Sequence, residues 1–438
     1  METSQPIQPA ESGEQPNLRH NFTANLLNSS FLTFGTSLIS SGVILPLFVS
    51  NLSSSKMLVG LIMTITFAGS FFPQLFAAPL FARFQRMKKL LVPSVFFIER
   101  LPLLLLGPAV LLLAPRDPQL TLLVFFILLT LVSFGAGFNA VGNQELYARI
   151  IPVQKRGRLA GITGAAGIGL ALAGTAVSRM VLANGAFPAG YGLLFGLAGL
   201  SALMAWVWLL LVREPNLPTR PANSGFRSFF RGIPAILRGD PNYTRFLIAM
   251  AVLYFGGMSG NFLAVSAKER WGLPESVIVT FPVAMYIGQA LGSLICGWVA
   301  DRRGYKVLQI IANAANVILL LVAIYAHAAW LFYVVFAVKG LSIAADILGN
   351  MITLEFSAPE LRPAYIGIYN TASGVVFIFS PLIAGWLAEW VGYSGLFWIT
   401  AIITALGILL LQFTVRDPRQ MVSRAESAPI KSSPETVI

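Results

Sequence analysis

The stretch Asp346–Gly367, which reads DILGNMITLEFSAPELRPAYIG, decides the fold because the chain carries an earlier copy of it. From Asn139 the sequence reads NAVGNQELYARIIPVQKRGRLAG, and Gly142–Asn143 aligns with Gly349–Asn350. In both copies a proline stands ten residues after the aligned glycine. Each copy joins the end of one apolar segment to the start of the next, so the pattern indicates an internal duplication.

The ends of the two halves repeat as well. VREP at Val212–Pro215 closes the sixth apolar segment, and VRDP at Val415–Pro418 closes the last one. Between the halves lies a stretch rich in Arg and Pro, whose amphipathic segment Phe226–Leu237 is typical of a helix on a membrane surface. These echoes predict a cytoplasmic tail at 1–19, a six-helix bundle at 20–213, a cytoplasmic linker at 214–243, a second six-helix bundle at 244–416 and a cytoplasmic tail at 417–438.

Composition places the chain in a membrane. Of its 438 residues 56% are hydrophobic and only 11% are charged, whereas a soluble domain carries about 25% charged residues. The net charge of +12 could indicate a nucleic-acid partner, but the Lys and Arg residues cluster in alternate loops between apolar runs. That distribution is typical of cytoplasmic loops that face anionic lipid, so the predicted partner is the bilayer and no nucleic acid.

A membrane-spanning helix needs about 20 mostly apolar residues. The sequence contains twelve such runs, at 23–49, 57–82, 90–114, 119–148, 157–183, 190–212, 244–268, 277–300, 305–327, 330–355, 363–389 and 394–415. We therefore predict an all-α integral membrane protein with twelve transmembrane helices in two pseudo-symmetric six-helix bundles. The excess of Lys and Arg in alternate loops predicts that both termini are cytoplasmic, in a bacterial inner membrane.

The loop between the eighth and ninth spans identifies a family. Gly297–Lys306 reads GWVADRRGYK and resembles the G-x-x-x-D-R-x-G-R-K loop of the major facilitator superfamily, with Tyr305 where the second basic residue usually stands. The span count, the duplication and the long basic central loop agree with that resemblance. The equivalent loop of the first half is degraded, because Ala82 replaces the acid and Gln85 replaces the turn glycine.

The chemistry of this loop predicts a gate on the cytoplasmic side. Gly297 would allow close helix approach, Gly304 would permit a turn with positive φ, and Asp301 would accept hydrogen bonds from the start of a neighbouring helix. The resemblance implies that this neighbour is the fifth span and that the bond breaks when the halves rock. In the alternative interpretation Asp301 only ends a helix and the arginines only fix topology. The residues assigned to the gate are Gly297, Asp301, Arg302, Gly304, Arg83, Arg86, Arg156 and Arg362.

The resemblance implies that the first, fourth, seventh and tenth spans enclose the central cavity, and polar residues are concentrated on these spans. Side chains four residues apart share a helical face, so Asn139 with Asn143 on the fourth span, and Asp346 with Asn350 on the tenth, each form a polar stripe. Such stripes either face the cavity or hold helices together, and the sequence does not decide between these alternatives. The candidates for cavity or substrate contact are Asn28, Asn139, Asn143, Tyr254, Asn261, Lys339, Asn350, Tyr369 and Asn370.

Ionisable groups inside spans are candidates for proton coupling. A carboxyl group held away from water favours its protonated form and can bind and release a proton, so we expect Asp346 to couple transport to protons, with Glu99 second. Glu99 and Arg100 are adjacent and point in different directions, so we expect them not to satisfy only one another. A structural ion pair for each is the alternative to a transport role. Lys339 could attract an anionic substrate or neutralise Asp346.

These features predict a secondary active transporter that works by alternating access. The leading hypothesis is proton-coupled export of a small amphipathic compound, and the runner-up is proton-linked or facilitated uptake of a sugar or another metabolite. A non-transporting membrane sensor or scaffold is the alternative from another class. An enzyme is not expected, because the chain has no Gly-Lys-[Ser/Thr] phosphate loop and only two histidines, His20 and His327. The sequence predicts no cofactor, no metal and a monomer whose partners are a small molecule and H⁺.

Overall fold

The computed structural model describes residues 17–81, 86–215, 226–356 and 361–418, and within these ranges the chain is helical with no strand. The all-α membrane fold that the sequence predicts is confirmed. The helices are α1 Leu18–Leu38, α2 Ile44–Leu52, α3 Lys56–Phe71, α4 Gln74–Phe81, α5 Lys88–Ser94, α6 Leu101–Leu113, α7 Pro118–Ile150, α8 Val153–Asn184, α9 Ala189–Leu211, α10 Phe226–Gly239, α11 Pro241–Gly256, α12 Leu263–Trp271, α13 Glu275–Ile278, α14 Phe281–Arg303, α15 Tyr305–Tyr325, α16 Leu331–Gly349 and α17 Arg362–Thr414.

In the described part of the chain nine helical segments are long and apolar enough to cross a membrane. The predicted first span is divided into α1 and α2, and the predicted second span is divided into α3 and α4. The two last predicted spans form the single run α17, which Gly392 interrupts with φ 69° and ψ 177°. A positive φ is accessible to glycine at little cost, so this residue supplies the turn between them. The count of twelve spans stays a prediction.

Aspartate-proline pairs determine where two of the helices begin. α7 and α11 each begin at an Asp-Pro pair, in which the aspartate caps the helix and the proline occupies the first helical position. The Asp117 side chain accepts hydrogen bonds from the N–H groups of Gln119 at 2.9 Å and Leu120 at 3.0 Å. These bonds satisfy N–H groups that a helix start leaves unpaired, and they fix where each span enters the membrane.

The ends of the two halves are held by the same contact. Asn21 near the start of α1 binds the main chain of Arg213 after α9, with N–H to Oδ1 at 2.8 Å and Nδ2 to the carbonyl at 2.9 Å. Asn242 near the start of α11 binds the main chain of Arg416 after α17 in the same two-bond manner, at 2.8 Å and 3.0 Å. The chain end of each half is therefore tied to the helix that starts that half.

In each half a lysine also binds carbonyl groups at the end of the last helix of that half. Lys88 Nζ at the start of α5 donates to the carbonyls of Leu210 at 2.7 Å and Val212 at 2.5 Å. Lys306 Nζ at the start of α15 donates to two carbonyls at the end of α17, those of Gln412 at 3.0 Å and Val415 at 2.8 Å. The last carbonyls of a helix have no partner within the helix and carry its negative dipole end. The repeated segments VREP and VRDP thus contain main-chain carbonyl groups that accept hydrogen bonds from an asparagine and a lysine in each half.

We expect Asn242→Ala to destabilise the protein by about 1–2 kcal/mol, since each net hydrogen bond contributes roughly 0.5–1.5 kcal/mol. The matched control is Asn313→Ala, because Asn313 Nδ2 binds only the Gln309 carbonyl one turn back on its own helix, at 2.8 Å. Thermal unfolding of the detergent-solubilised proteins measures the difference. Equal midpoints for the two variants would show that the clamp contributes no stability.

Candidate functional site

The polar face of α16 carries the candidate residues of the second half. At 100° per residue, Lys339, Asp346 and Asn350 fall within about 40° of one another, so all three point to the same side of the helix. Lys339 and Asp346 are seven residues apart, which is about 10 Å along the helix axis. Asn350 opens the 3₁₀ turn Asn350–Glu355 in which the helix ends.

Asn350 is the centre of a hydrogen-bond cluster from four elements. Its Oδ1 accepts from the hydroxyl of Tyr369 on α17 at 2.6 Å and from that of Tyr254 on α11 at 3.0 Å. The two tyrosine hydroxyls also bind one another. Gln309 Nε2 on α15 lies 2.8 Å from the same oxygen. The cluster therefore joins α11, α15, α16 and α17 through neutral groups.

Sequence reasoning missed Gln309, which is fully buried. The available signal was an amide one turn inside a predicted span, which must find a partner there because unpaired polar groups inside a membrane are costly. In the alternative orientation, with its amide reversed, Gln309 instead donates to Asp346 Oδ1 at 3.2 Å, and its oxygen accepts from the Asn350 N–H at 3.2 Å. Gln309 thus lies between Asp346 and Asn350 and holds both from the neighbouring helix.

The Asp346 carboxyl has amides as its partners and no cation. The side chains of Gln309 and Asn350 hydrogen-bond to it. Among the described residues no Lys, Arg or His nitrogen lies within 4.0 Å of it, and Lys339 is thus not its ion-pair partner. In this arrangement Asp346 can therefore be neutralised by a proton, since no cationic side chain is paired with it.

Lys339 binds the main chain where the seventh span is interrupted. Its Nζ donates to the carbonyl of Gly260 at 2.6 Å, and it lies 5.8 Å from the ring centre of Phe336. Gly260 belongs to the 3₁₀ turn Gly257–Asn261 that separates α11 from α12. Asn261 ends this turn, so the seventh-span candidates Tyr254 and Asn261 lie on either side of the break.

The equivalent position in the first half is built differently. Asn139 on α7 is fully buried, accepts a bond from Ser94 Oγ at 2.7 Å and donates to Glu99 Oε2 at 3.1 Å. Glu99 is also ion-paired with Arg100, within the π-helical turn Val95–Arg100. Adjacent residues can therefore pair here, and Asn139 supplies the additional partner that the sequence led us to expect for Glu99. The group holds α7 to the third span inside the bundle.

The two halves exchange the roles of amide and acid. In the first half the third span supplies the carboxylate Glu99 and α7 supplies the amide Asn139, whereas in the second half α15 supplies the amide Gln309 and α16 supplies the acid Asp346. Among the described residues, Glu99 has a cation beside it and Asp346 has none. The duplicated helices thus keep one contact but differ in charge balance.

The remaining cavity candidates do not converge on one place. Asn28 Nδ2 donates to the Ala205 carbonyl at 2.7 Å and so ties α1 to α9. Asn143 on α7 and Asn370 on α17 are exposed. The polar candidates that the structure brings together are those of the second half, Tyr254, Asn350 and Tyr369, with Asp346 beside them.

The predicted gate loop follows α14. Gly304 has φ 84°, as the sequence predicted for a turn glycine, and Asp301 and Arg302 are exposed. Arg302 lies over the ring of Trp298 at 4.3 Å. A Cβ at Gly297 would meet nothing within 4 Å, so the expectation of close helix approach there is wrong.

The expected bond from the fifth span to Asp301 is not made by the described residues. Arg156 instead donates to carbonyls at the end of α7, those of Ile151 at 3.0 Å and Ala148 at 2.7 Å. Arg86 is exposed at the start of the third span. Arg83 and the side chain of Arg362 lie outside the described part of the chain.

The two halves are joined at the opposite end of the molecule, which we call the Asn51 end. Glu275 of the second half accepts hydrogen bonds from Asn51 at 2.7 Å and Tyr191 at 2.6 Å, and Lys268 binds both Glu275 and Asn51 at 2.6 Å. A second group joins Glu389 to Ser55 Oγ and to the Met57 N–H. Within the described ranges every hydrogen bond between residues 17–215 and residues 226–418 lies at this end.

A groove of about 820 Å³ opens between α8 and α14, also toward the Asn51 end. None of the residues predicted to line the cavity borders it. Its walls are mostly apolar, with Arg179, Thr280 and Tyr333 as polar members; the others include Leu172, Met180, Val283 and Ile287. The central polar cluster around Asn350 is a separate site.

Curated relatives of the chain match it only in part. The multidrug resistance protein MdtG of Salmonella arizonae is 27% identical over 177 residues, which are 40% of this chain and 41% of that protein. The benzoate transport protein of Acinetobacter baylyi is 27% identical over 180 residues, 40% of this chain and 38% of that one. The efflux pump apf11 of Gibberella fujikuroi is 33% identical over 91 residues, 20% of this chain and 16% of its own length. The matches thus span less than half of each relative.

Solved structures share the fold over nearly the whole chain. The nucleoside transporter NupG has a TM-score of 0.68 with 13% identity, covering 91% of this chain and 98% of its own. A D-xylose-proton symporter has a TM-score of 0.67 with 16% identity, covering 92% and 99%. A bacterial homolog of the human lysosomal transporter Spinster, in an inward-facing and unoccupied conformation, has a TM-score of 0.68 with 15% identity, covering 94% and 99%.

The family itself follows from a match over almost the full length. The family model of the Major Facilitator Superfamily matches residues 26–285 and 246–435. The family and the fold indicate a transporter rather than an enzyme, and the apolar helices indicate a multi-pass membrane protein. This chain belongs to the Major Facilitator Superfamily.

Proposed function

We propose that this transporter exports a small amphipathic compound in exchange for protons, with Asp346 as the group that binds the proton. The observation that carries the proposal is the charge balance of the two acids inside spans. Glu99 is paired with Arg100, whereas Asp346 has only amide partners among the described residues. An ionised carboxylate inside a membrane is costly unless a cation or a proton compensates it. Glu99 is therefore structural, and Asp346 is the acid whose protonation can change during transport.

The orientation that we propose places the Asn51 end outside the cell and the gate-loop end in the cytoplasm. Arg302 and Arg303 at the end of α14, together with Lys88, Lys89 and Arg213, lie at the gate-loop end, and basic residues favour the cytoplasmic side. Both termini are then cytoplasmic, in a bacterial inner membrane, and the transporter acts as a monomer. The hydrogen bonds that join described residues of the two halves lie at the Asn51 end, and we infer from them that this conformation is closed to the outside.

Asp346 is well placed to exchange its proton with the cytoplasm in this conformation. It lies one turn before the 3₁₀ turn Asn350–Glu355, in which α16 ends on the proposed cytoplasmic side. Release of the proton there and loading of the compound from the same side would complete the inward-facing half of an exchange cycle. The efflux and multidrug names of partial relatives support export, and we propose the residues 20–213 and 244–416 as the two bundles that rock.

Uptake of a sugar or another metabolite is the second candidate. The observation in its favour is the neutral cluster of Tyr254, Tyr369, Asn350 and Gln309, since hydroxyl and amide groups suit a polyhydroxylated substrate. Accumulation of xylose in proteoliposomes along an inward proton gradient, without any efflux of dyes, would favour uptake. A protein that moves no solute under either condition would be a sensor or scaffold.

We expect Asp346→Asn to abolish proton-driven transport and to preserve counterflow exchange, because the amide occupies the same space but cannot bind or release a proton. Proteoliposomes are loaded with ethidium or benzoate, and solute flux and internal pH are followed with and without a pH gradient. The matched control is Asp117→Asn, at a helix cap where asparagine serves equally well. Unchanged gradient-driven flux in Asp346→Asn would remove Asp346 from the mechanism.

Glu275→Ala should open the Asn51 end, because it removes an acceptor that binds Asn51, Tyr191 and Lys268 together. A loss of about 1.4 kcal/mol shifts the ratio of closed to open molecules roughly tenfold. Spin labels on cysteines at Ser54 and Ser394, in a Cys296→Ser background, report the separation of the halves. Glu145→Gln is the control, since Glu145 pairs with Arg149 within one half at 2.9 Å. An unchanged distance distribution in Glu275→Ala would show that this cluster does not hold the halves together.

A further inference from the structure

We propose that Lys339 binds the negatively charged group of the substrate and that the compounds carried are amphipathic aromatic monocarboxylates. The inference rests on the proposed function and names the substrate class of the same transport pathway. It follows from the depth of Lys339 in the membrane, from the lack of a counter-charge beside it among the described residues and from the aromatic ring of Phe336 next to it.

Lys339 lies deep in a span. It is the ninth residue of the 19-residue helix α16, which places it about 12 Å from the helix start at 1.5 Å per residue. A lysine near the middle of a span faces the interior of the bundle or a wet cavity, and its charge requires a partner. The Lys339 side chain is directed toward the seventh span, since its Nζ binds the carbonyl of Gly260 there.

The partner that Lys339 has in this conformation is neutral. In the part of the chain that the structure describes, its hydrogen bond to the Gly260 carbonyl is the only one recorded, and no carboxylate lies within 4.0 Å of it. The other membrane-embedded cation, Arg100, is paired with Glu99, and Lys268 at the Asn51 end is paired with Glu275 at 2.6 Å. Lys339 is thus left with a positive charge that an anionic ligand would balance.

The surroundings favour an aromatic anion over a small inorganic one. Phe336 lies one turn before Lys339, with its ring centre 5.8 Å from Nζ. The ring of a ligand can pack against this side chain while its carboxylate reaches the ammonium.

Exchange of such an anion for a proton has an electrical consequence. One negative charge leaves the cell while one positive charge enters it, so an inside-negative membrane potential drives the exchange together with the pH gradient. An electroneutral compound exchanged for the same proton would respond to the potential through the proton charge alone.

Binding of benzoate, salicylate and 1-naphthoate to the purified full-length protein tests the inference, with benzamide, salicylamide and 1-naphthamide as uncharged matches. We expect at least one carboxylate, and none of the amides, to raise the unfolding temperature through ligand binding. Lys339→Met should weaken that binding by about tenfold or more, because a charge-assisted bond is lost, while Lys339→Arg should retain most of it. Lys89→Met, at an exposed lysine, should bind as the native protein does.

The outcomes separate this inference from the function on which it rests. No stabilisation by any carboxylate, or equal binding to native protein and Lys339→Met, overturns the anion site even if ethidium export is proton-driven. Carboxylate binding that depends on Lys339, without any gradient-driven flux of the bound compound, supports the site and overturns proton-coupled export. A lower unfolding temperature of Lys339→Met without ligand measures the Gly260 bond separately, so a structural effect is not mistaken for a binding effect.

Discussion

A charge inside a membrane-spanning helix must be balanced, and the centre of this transporter is organised by how each half meets that requirement. The first half balances Glu99 with Arg100 and adds the amide of Asn139, so the group is self-contained and buried. The second half separates its acid from its base by about 10 Å along α16 and gives each of them neutral partners. A self-contained group holds helices together, whereas two separated charges leave room for a proton at one place and an anion at the other.

Because the two halves are related by duplication, the hydrogen bonds at their helix ends are alike. The Asn clamps at Arg213 and Arg416 and the Lys88 and Lys306 bonds recur because the ends of every helix leave unpaired carbonyl groups, whatever the helix carries at its centre. Polar residues at helix ends therefore stayed alike in the two halves. Farther from the helix ends the corresponding helix pairs keep an amide-to-acid contact but exchange the two side chains, which alters the charge balance.

The sequence predicted what depends on local pattern and missed what depends on three-dimensional neighbours. The repeated segments, the apolar runs and the turn at Gly304 follow from spacing along the chain, and the all-α membrane fold and the family were predicted from them. Asn139 could not be placed, since a helical face alone does not say whether protein or water lies opposite it. Gln309 was overlooked because its role depends on contacts with Asp346 and Asn350, which belong to another helix and are far away along the chain.

The contacts between the halves have a chemistry suited to breaking and re-forming. At the Asn51 end Glu275 accepts hydrogen bonds from the amide of Asn51, the hydroxyl of Tyr191 and the ammonium of Lys268. Each of these groups can bind water equally well when the halves separate. Net hydrogen-bond energies are small because protein partners replace water partners, so such a cluster can close one end without fixing it permanently. Near the membrane centre Phe377 stacks on Phe67 across the halves, and apolar surfaces of this kind slide or separate without leaving an unpaired polar group. The rocking of the halves that we propose would therefore expose no uncompensated charge at this joint, and in the same proposal the charges that need compensation are those of Asp346 and Lys339.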